Sequence, residues 1–251
     1  MQALDQLEKP VETKTLPGLR IENRFLSILP SDTFALIKPD LRQISLSQGT
    51  TIYEPGDVID EVYFPQTGLI SLMVMTREGT TVETGSVGRE GAVGLQRVLG
   101  ERRSLTRATA QIPGKFLVLR ANRLIQVMRD DLQFRDLISR YLEILWAEAQ
   151  QLAACNAVHD AASRLSRWLL QSADRVGSDR IQLTQEFLAH MLGVRRTTVT
   201  LLAQAIQQKG LIKYSRGQIM ILDRQGLEAC ACECYGIIHH DKLPAALGIR
   251  L

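Results

Sequence analysis

The sequence predicts an α+β chain: an antiparallel, jelly-roll-like β-roll, then one long helix, then a C-terminal winged helix. Three observations carry that prediction. Ten of the 18 glycines fall between residues 45 and 115, among short alternating apolar runs. Neither glycine nor proline interrupts residues 121–176. A helix-turn-helix pattern over residues 184–202 is followed by a basic hairpin.

The elements follow in chain order. Residues 1–20 show no periodicity and read as a poorly ordered N-terminal arm, with no basic-then-apolar leader. Residues 25–29 and 31–37 read as two short helical turns, with Ser31 as a cap and Pro39 as a stop. Strand-like runs stand at residues 42–47, 61–64, 69–75, 80–83 and 115–119. Turn signals such as Pro55-Gly56-Asp57 and Pro113-Gly114 separate them, as in a sandwich or barrel. The β-roll domain is therefore placed at residues 21–128.

The long helix is placed at residues 129–159. Ile138, Tyr141, Leu145, Leu152 and Cys155 recur at 3-4 spacing, the pattern of a seam that faces a partner helix. Asp160 can cap a second helix over residues 161–175, which Gly177 closes.

The sharpest motif lies in the winged helix, placed at residues 160–235. Thr184 suits the cap of a first helix, with Leu188, Ala189 and Leu192 on its buried face. Gly193 stands where the chain must turn, and Val199 and Leu202 bury the second helix. That leaves Arg195, Arg196, Thr197, Thr198 and Thr200 to face a major groove, with Thr184 as a further DNA contact. Residues 211–222 read as a hairpin turning at Ser215-Arg216-Gly217, which places Lys213 and Arg216 on a wing. Formal net charge is +3 overall, yet residues 160–224 hold ten Lys/Arg against five Asp/Glu. Positive charge is thus concentrated where phosphate contact is expected. Residues 236–251 form a tail with no assigned role.

In this order of parts the chain resembles the Crp/Fnr family of bacterial transcription regulators. The carrying stretches are Tyr53-Glu-Pro-Gly-Asp57, Val62-Tyr-Phe64 with Gly68, Val87-Gly-Arg-Glu-Gly91, Arg103-Ser104 and the helix-turn-helix. The resemblance implies a β-roll of cyclic-nucleotide-binding type and a homodimer along the long helix. It also implies an inverted-repeat DNA operator and contact with RNA polymerase.

The sequence departs from the cyclic-nucleotide-responding members. Gly88, Arg89, Glu90, Arg103, Ser104 and Gln150 mark the corresponding pocket. Arg89 stands where the family's ribose-binding Glu would fall, and the base-reaching polar pair is replaced by about Ala149-Gln150. No cofactor is therefore expected, and a cyclic nucleotide is the disfavoured alternative. Cys230, Cys232 and Cys234 are the weak metal or redox candidates, because residues two apart on one helix point in opposing directions. Cys155 and His159 are expected to be packing or surface residues. Phosphate-loop, dinucleotide, nucleophile-elbow and zinc-protease motifs are absent from the sequence, so no enzyme is expected. No apolar run approaches a membrane span, and a cytoplasmic protein is expected.

Overall fold

A computed structural model of the chain describes residues 20–100 and 103–237. The arm and tail expected at the termini lie almost wholly outside the described residues. Helices α1 (Arg24–Ser27) and α2 (Ser31–Ile37) come first. Asn23 caps α1, accepting from Leu26 N at 3.0 Å, while its amide donates to the Pro65 and Gly91 carbonyls. Ser31 is the first helical residue of α2 and not its cap. Pro30 holds that place, its carbonyl accepting from Phe34 N at 2.8 Å.

Seven strands follow: β1 (Arg42–Leu46), β2 (Thr51–Tyr53), β3 (Glu61–Pro65), β4 (Leu69–Met75), β5 (Thr81–Val87), β6 (Arg107–Ile112) and β7 (Gly114–Arg120). They pair antiparallel in two sheets, ordered β1-β7-β3 and β2-β6-β4-β5. Sequence patterning shows neither β2 nor β6. In β6 the buried places are held by Ala108, Thr109, Ala110, Gln111 and Ile112, small and polar residues up to the last, so apolar alternation is faint. Strand β7 explains how one sheet serves two cores. Phe116 packs into the cluster with Ile70 and Val87 of the other sheet, while Leu117 and Leu119 pack with Phe25, Phe134 and Tyr141 of the helices.

Helix α3 (Ala121–Asp130) leads to α4 (Leu132–Val158). Asp131 separates them and caps α4, accepting from Phe134 N at 2.9 Å, so the long helix starts three residues later than the pattern suggests. At 27 residues, α4 is about 40 Å long. The Tyr141 hydroxyl pins it to the β-roll, accepting from Ala92 N at 2.9 Å and lying 3.2 Å from the Ala92 carbonyl.

His159 breaks the helix with extended backbone, and Asp160 caps α5 (Ala161–Val176), accepting from Ala162 N and Ser163 N at 2.8 and 3.0 Å. The C-terminal unit then comprises β8 (Arg180–Gln182), α6 (Gln185–Leu192), α7 (Arg196–Gln208), β9 (Ile212–Ser215), β10 (Gln218–Ile221), α8 (Arg224–Cys230) and α9 (Cys234–Ile237). Its three strands form a sheet ordered β8-β10-β9. Helix α5 belongs to both halves, because Leu69 and Ile112 of the β-roll share its apolar cluster with Leu165, Leu169 and Ile181.

Candidate nucleic-acid interface

Helices α6 and α7 form the helix-turn-helix. Thr184 caps α6, its hydroxyl accepting from Phe187 N at 3.4 Å. Gly193, at φ +64°, makes the left-handed turn, and Val194 N then reaches back to the Ala189 carbonyl at 3.1 Å. Leu188, Leu192, Val199, Ala203 and Ile206 are buried between the elements.

The outer residues divide. Arg195, Arg196 and Thr197 are exposed at the N-terminus of α7, together with Leu201 one turn on. Thr198 and Thr200 are half-buried. The Thr200 hydroxyl lies 3.1 Å from both Gln185 Oε1 and the Arg196 carbonyl, so it clamps α7 to α6. This corrects its placement on the reading face: one turn on from Arg196, Thr200 shares that side of α7, but its hydroxyl is held between the two helices. Thr184, also taken as a DNA contact, spends its hydroxyl on its own helix.

Strands β9 and β10 pair Ser215 with Gln218 across a two-residue turn. Arg216 at φ +48° and Gly217 at φ +76° give it the twist that suits a tight hairpin. An open cleft of roughly 590 Å³ lies on the wing, lined by Arg180, Gln182, Lys213, Arg216 and Gln218 among others. Arg180 and Gln182 were missed in the sequence because a three-residue strand carries almost no periodicity. The two basic elements are neighbours. The Tyr214 phenol, on β9, is raised above its ordinary range by burial, and the Arg196 guanidinium opposes that shift.

The pocket candidates do not converge. Gly88 N donates to Glu90 Oε1 at 2.9 Å, and buried Glu90 faces Arg175 Nε at 3.1 Å. Arg89 N donates to the Arg175 carbonyl at 3.0 Å, and the Arg89 guanidinium lies against Gly177 at the C-terminus of α5, where helix carbonyls favour a cation. Arg103 instead donates to the Gly56 carbonyl at 2.6 Å, and the Ser104 hydroxyl to the Thr106 carbonyl at 2.6 Å. Gln150 is exposed. The expected pocket is thus corrected: its first half docks α5, and its second half holds the β-roll's own loops.

A cavity of about 170 Å³ does lie between β5, α4 and α5, lined by Glu83, Glu148, Arg167, Gln171 and Arg175 among others. Its polar groups engage one another: Arg167 donates to Gln171 at 2.5 Å, Arg175 meets Glu148 at 3.3 Å, and Trp168 donates to Glu83 at 3.1 Å. Burial pushes the Glu83 carboxyl up, against hydrogen bonds from Ser71 and Trp168 and the charges of Arg175 and Arg167.

The expected helix seam is also corrected. Ile138, Tyr141 and Cys155 are fully buried within their own chain, and Leu145 and Leu152 line the same cavity. The opposite side of α4 is the open one. Glu143, Trp146, Gln150, Ala153 and Ala157 are exposed there at 3-4 spacing, roughly 150° round the helix from the expected stripe.

The cysteines depart from expectation as well. Helix α8 ends at Cys230, and Ala231 is extended, so Cys232 and Cys234 are freed from helical spacing. They pack against Cys155, with Cys155 Sγ 3.5 Å from Cys232 Sγ. Cys230 is apart, its sulfur 3.9 Å from Lys209 Nζ. Among the described residues, no helix is long and apolar enough to cross a membrane.

Two family models match the chain: a cyclic nucleotide-binding domain over residues 43–131 and a Crp-like helix-turn-helix domain over residues 163–230. The anaerobic regulatory protein of Bacillus subtilis is 25% identical over 230 residues, covering 84% of this chain and 94% of that one. Among solved structures, FixK2 from Bradyrhizobium japonicum superposes with a TM-score of 0.61 at 18% identity, covering 76% of this chain and 98% of its own. The c-di-GMP-responsive global regulator CLP from Xanthomonas campestris does so with a TM-score of 0.62 at 15% identity, covering 76% and 99%.

Proposed function

We infer the function from the family to which the chain belongs: it is a Crp/Fnr transcription regulator carrying a helix-turn-helix DNA-binding domain. The finer reading is a homodimer that binds an inverted-repeat operator, with one α7 in each of two successive major grooves. The observation that carries it is the exposed Arg195-Arg196-Thr197 run at the start of α7, next to a wing bearing Arg180, Lys213 and Arg216. Arg196 can bond guanine O6 and N7 in bidentate fashion, and the wing cations suit phosphates. The open stripe from Glu143 to Ala157 on α4 supports a dimer joined along that face. Its alanines allow close helix approach, and Trp146 supplies buried apolar area. RNA polymerase is the further partner that the family resemblance suggests.

The dimer is proposed to work without a cyclic nucleotide. Engagement of Glu90 by Arg175 and of Arg103 by Gly56 supports that reading. Selection of bound sequences from a random duplex pool should yield a two-fold symmetric site, with half-sites one helical turn apart. Calorimetry with cyclic AMP, cyclic GMP and cyclic di-GMP should show no heat. An asymmetric consensus would refute the dimer, and a saturable isotherm would refute nucleotide independence.

A further inference from the structure

We propose that Cys155, His159, Cys232 and Cys234 form a tetrahedral site for a single zinc ion at the junction of the long helix and the DNA-binding unit. The inference goes beyond DNA recognition and stands without it. Two ligands come from the end of α4: Cys155 lies in its last turn and His159 caps it, four residues on, with His159 N donating to the Cys155 carbonyl, so the two share a side. The other two come from the far end of the chain, where extended Ala231 lets Cys232 and Cys234 turn back on α4.

The four ligand atoms lie within 4.8 Å of one another. Cys155 Sγ is 3.5 Å from Cys232 Sγ, and Cys234 Sγ is 3.8 Å from His159 Nδ1. Zinc–sulfur bonds of about 2.3 Å in a tetrahedron place the sulfurs about 3.8 Å apart, so the set has the size of one ion. Three thiolates and one imidazole match a structural zinc set, with no place left for a reacting water. A polynuclear iron–sulfur cluster would spread its ligands over several metals and needs a wider cage.

The surroundings fit a metal better than a packed apolar core. The three buried sulfurs form a cluster of their own, without a leucine or valine among its buried members. His159 Nε2 lies 3.0 Å from Glu233 Oε1, an acceptor that keeps the proton on Nε2 and turns the Nδ1 lone pair toward the sulfurs. Gln151 Nε2 donates to Cys234 Sγ at 3.0 Å, the bond a thiolate would draw. A zinc held by three thiolates carries net negative charge, and the Arg167 guanidinium is close enough to act on both Cys155 and Cys232.

The position gives the ion a purpose. His159 ends α4 and Asp160 begins α5, so the site spans the hinge. Zinc would tie the last segment of the winged helix to the helix that carries it, fixing the angle between them.

The test uses the full chain, purified under reducing, oxygen-free conditions without chelator, then titrated with zinc and with cobalt(II). About one zinc per chain is expected, and the cobalt form should show the intense visible bands of a tetrahedral thiolate site. Cys155→Ser and Cys234→Ser should abolish both, while Cys230→Ser should keep both. Wild-type protein stripped by chelator and checked by circular dichroism provides a second measure that does not depend on the folding of the variants: it should rebind one zinc and regain lost thermal stability. No zinc uptake, full uptake by Cys155→Ser, loss in Cys230→Ser, or isolation of an iron–sulfide cluster would each overturn the proposal.

Discussion

Arg175→Met is the most informative single change to the seat of the DNA-binding unit. Arg175 sits near the end of α5, with its side chain 6% exposed; that of Glu90 is 6% and that of Glu148 20% exposed. It also donates to the Ser86 hydroxyl. Removing one partner of a buried ion pair typically costs about 3–5 kcal/mol, because the other charge is left without compensation. Two features favour the lower end. The 3.1 Å contact from Arg175 Nε to Glu90 is not aligned as a hydrogen bond, and Glu148 can turn toward water. A loss of about 3 kcal/mol is expected, or roughly 6–12 °C in Tm for a chain of this size. Adding Glu90→Gln should recover about 2 kcal/mol, since the stranded charge is gone. Urea unfolding of the four proteins of the cycle measures this. A single-variant loss below about 1 kcal/mol, or additivity within about 0.5 kcal/mol, would refute the argument.

Four further outcomes follow from the same geometry. Arg196→Ala should lose ~1–3 kcal/mol of binding at one operator position and relax specificity there, measured by anisotropy against every base at each position; a uniform loss would make Arg196 a phosphate contact. Lys213→Ala or Arg216→Ala should each lower the slope of log affinity against log salt by about one, and an unchanged slope would remove the wing from the interface. Trp146→Glu should give folded monomers in sedimentation, whereas Leu145→Glu should unfold the chain, because only Leu145 faces the protein's own core; a dimer surviving Trp146→Glu would move the interface. Glu83→Gln should flatten stability against pH. The buried Glu83 carboxyl titrates above its unfolded value of about 4.3, so between those two values the folded state holds more protons and stability falls as pH rises. A wild-type-minus-variant difference that is constant with pH would mean that folding leaves the Glu83 carboxyl at its unfolded value, and would refute the effect of burial.

The helix-turn-helix was legible because each of its positions answers a local demand. Gly193 must turn left-handed, Ala189 must be small, and Thr184 must cap, so type and spacing together leave few alternatives. What the sequence concealed was choice between faces. Helix α4 carries one strongly apolar stripe and one open, mixed stripe, and the apolar one, through Ile138 and Tyr141, belongs to the chain's own core. The open stripe is rich in alanine, which registers weakly as hydrophobic. Similarly, Arg89 and Glu90 look like ligand contacts because charged residues are seldom buried. Their partner, Arg175, stands some 85 positions away, and only the fold brings it to them. The clustering of Cys232 and Cys234 with Cys155 was hidden for one reason: a single extended residue, Ala231, ends the helix on which the argument about opposing directions depended.

These long-range pairs concentrate on α5, and that placement bears on regulation. Its C-terminal end is held by Arg89, Glu90 and the β-roll, and its N-terminal end starts at the hinge beside His159. Trp168, midway, reaches Glu83 on β5. Further contacts run outside α5, with the Gln48 side chain donating to the Gln182 carbonyl at 3.3 Å. A signal that moves α7 relative to α4 must therefore exchange this polar seat for another arrangement of similar free energy. An effector can do so only by the difference in its affinity for the two arrangements. A buried ion-pair network suits such a switch better than a purely apolar contact. Its charges are expensive to strand yet easily compensated by a new partner, so the two arrangements can lie within a few kcal/mol of each other. The Glu90–Arg175 contact is thus where an activating mutation that needs no ligand should arise. A screen for such mutations that returned only changes in α7 and the wing would count against α5 as the coupling element.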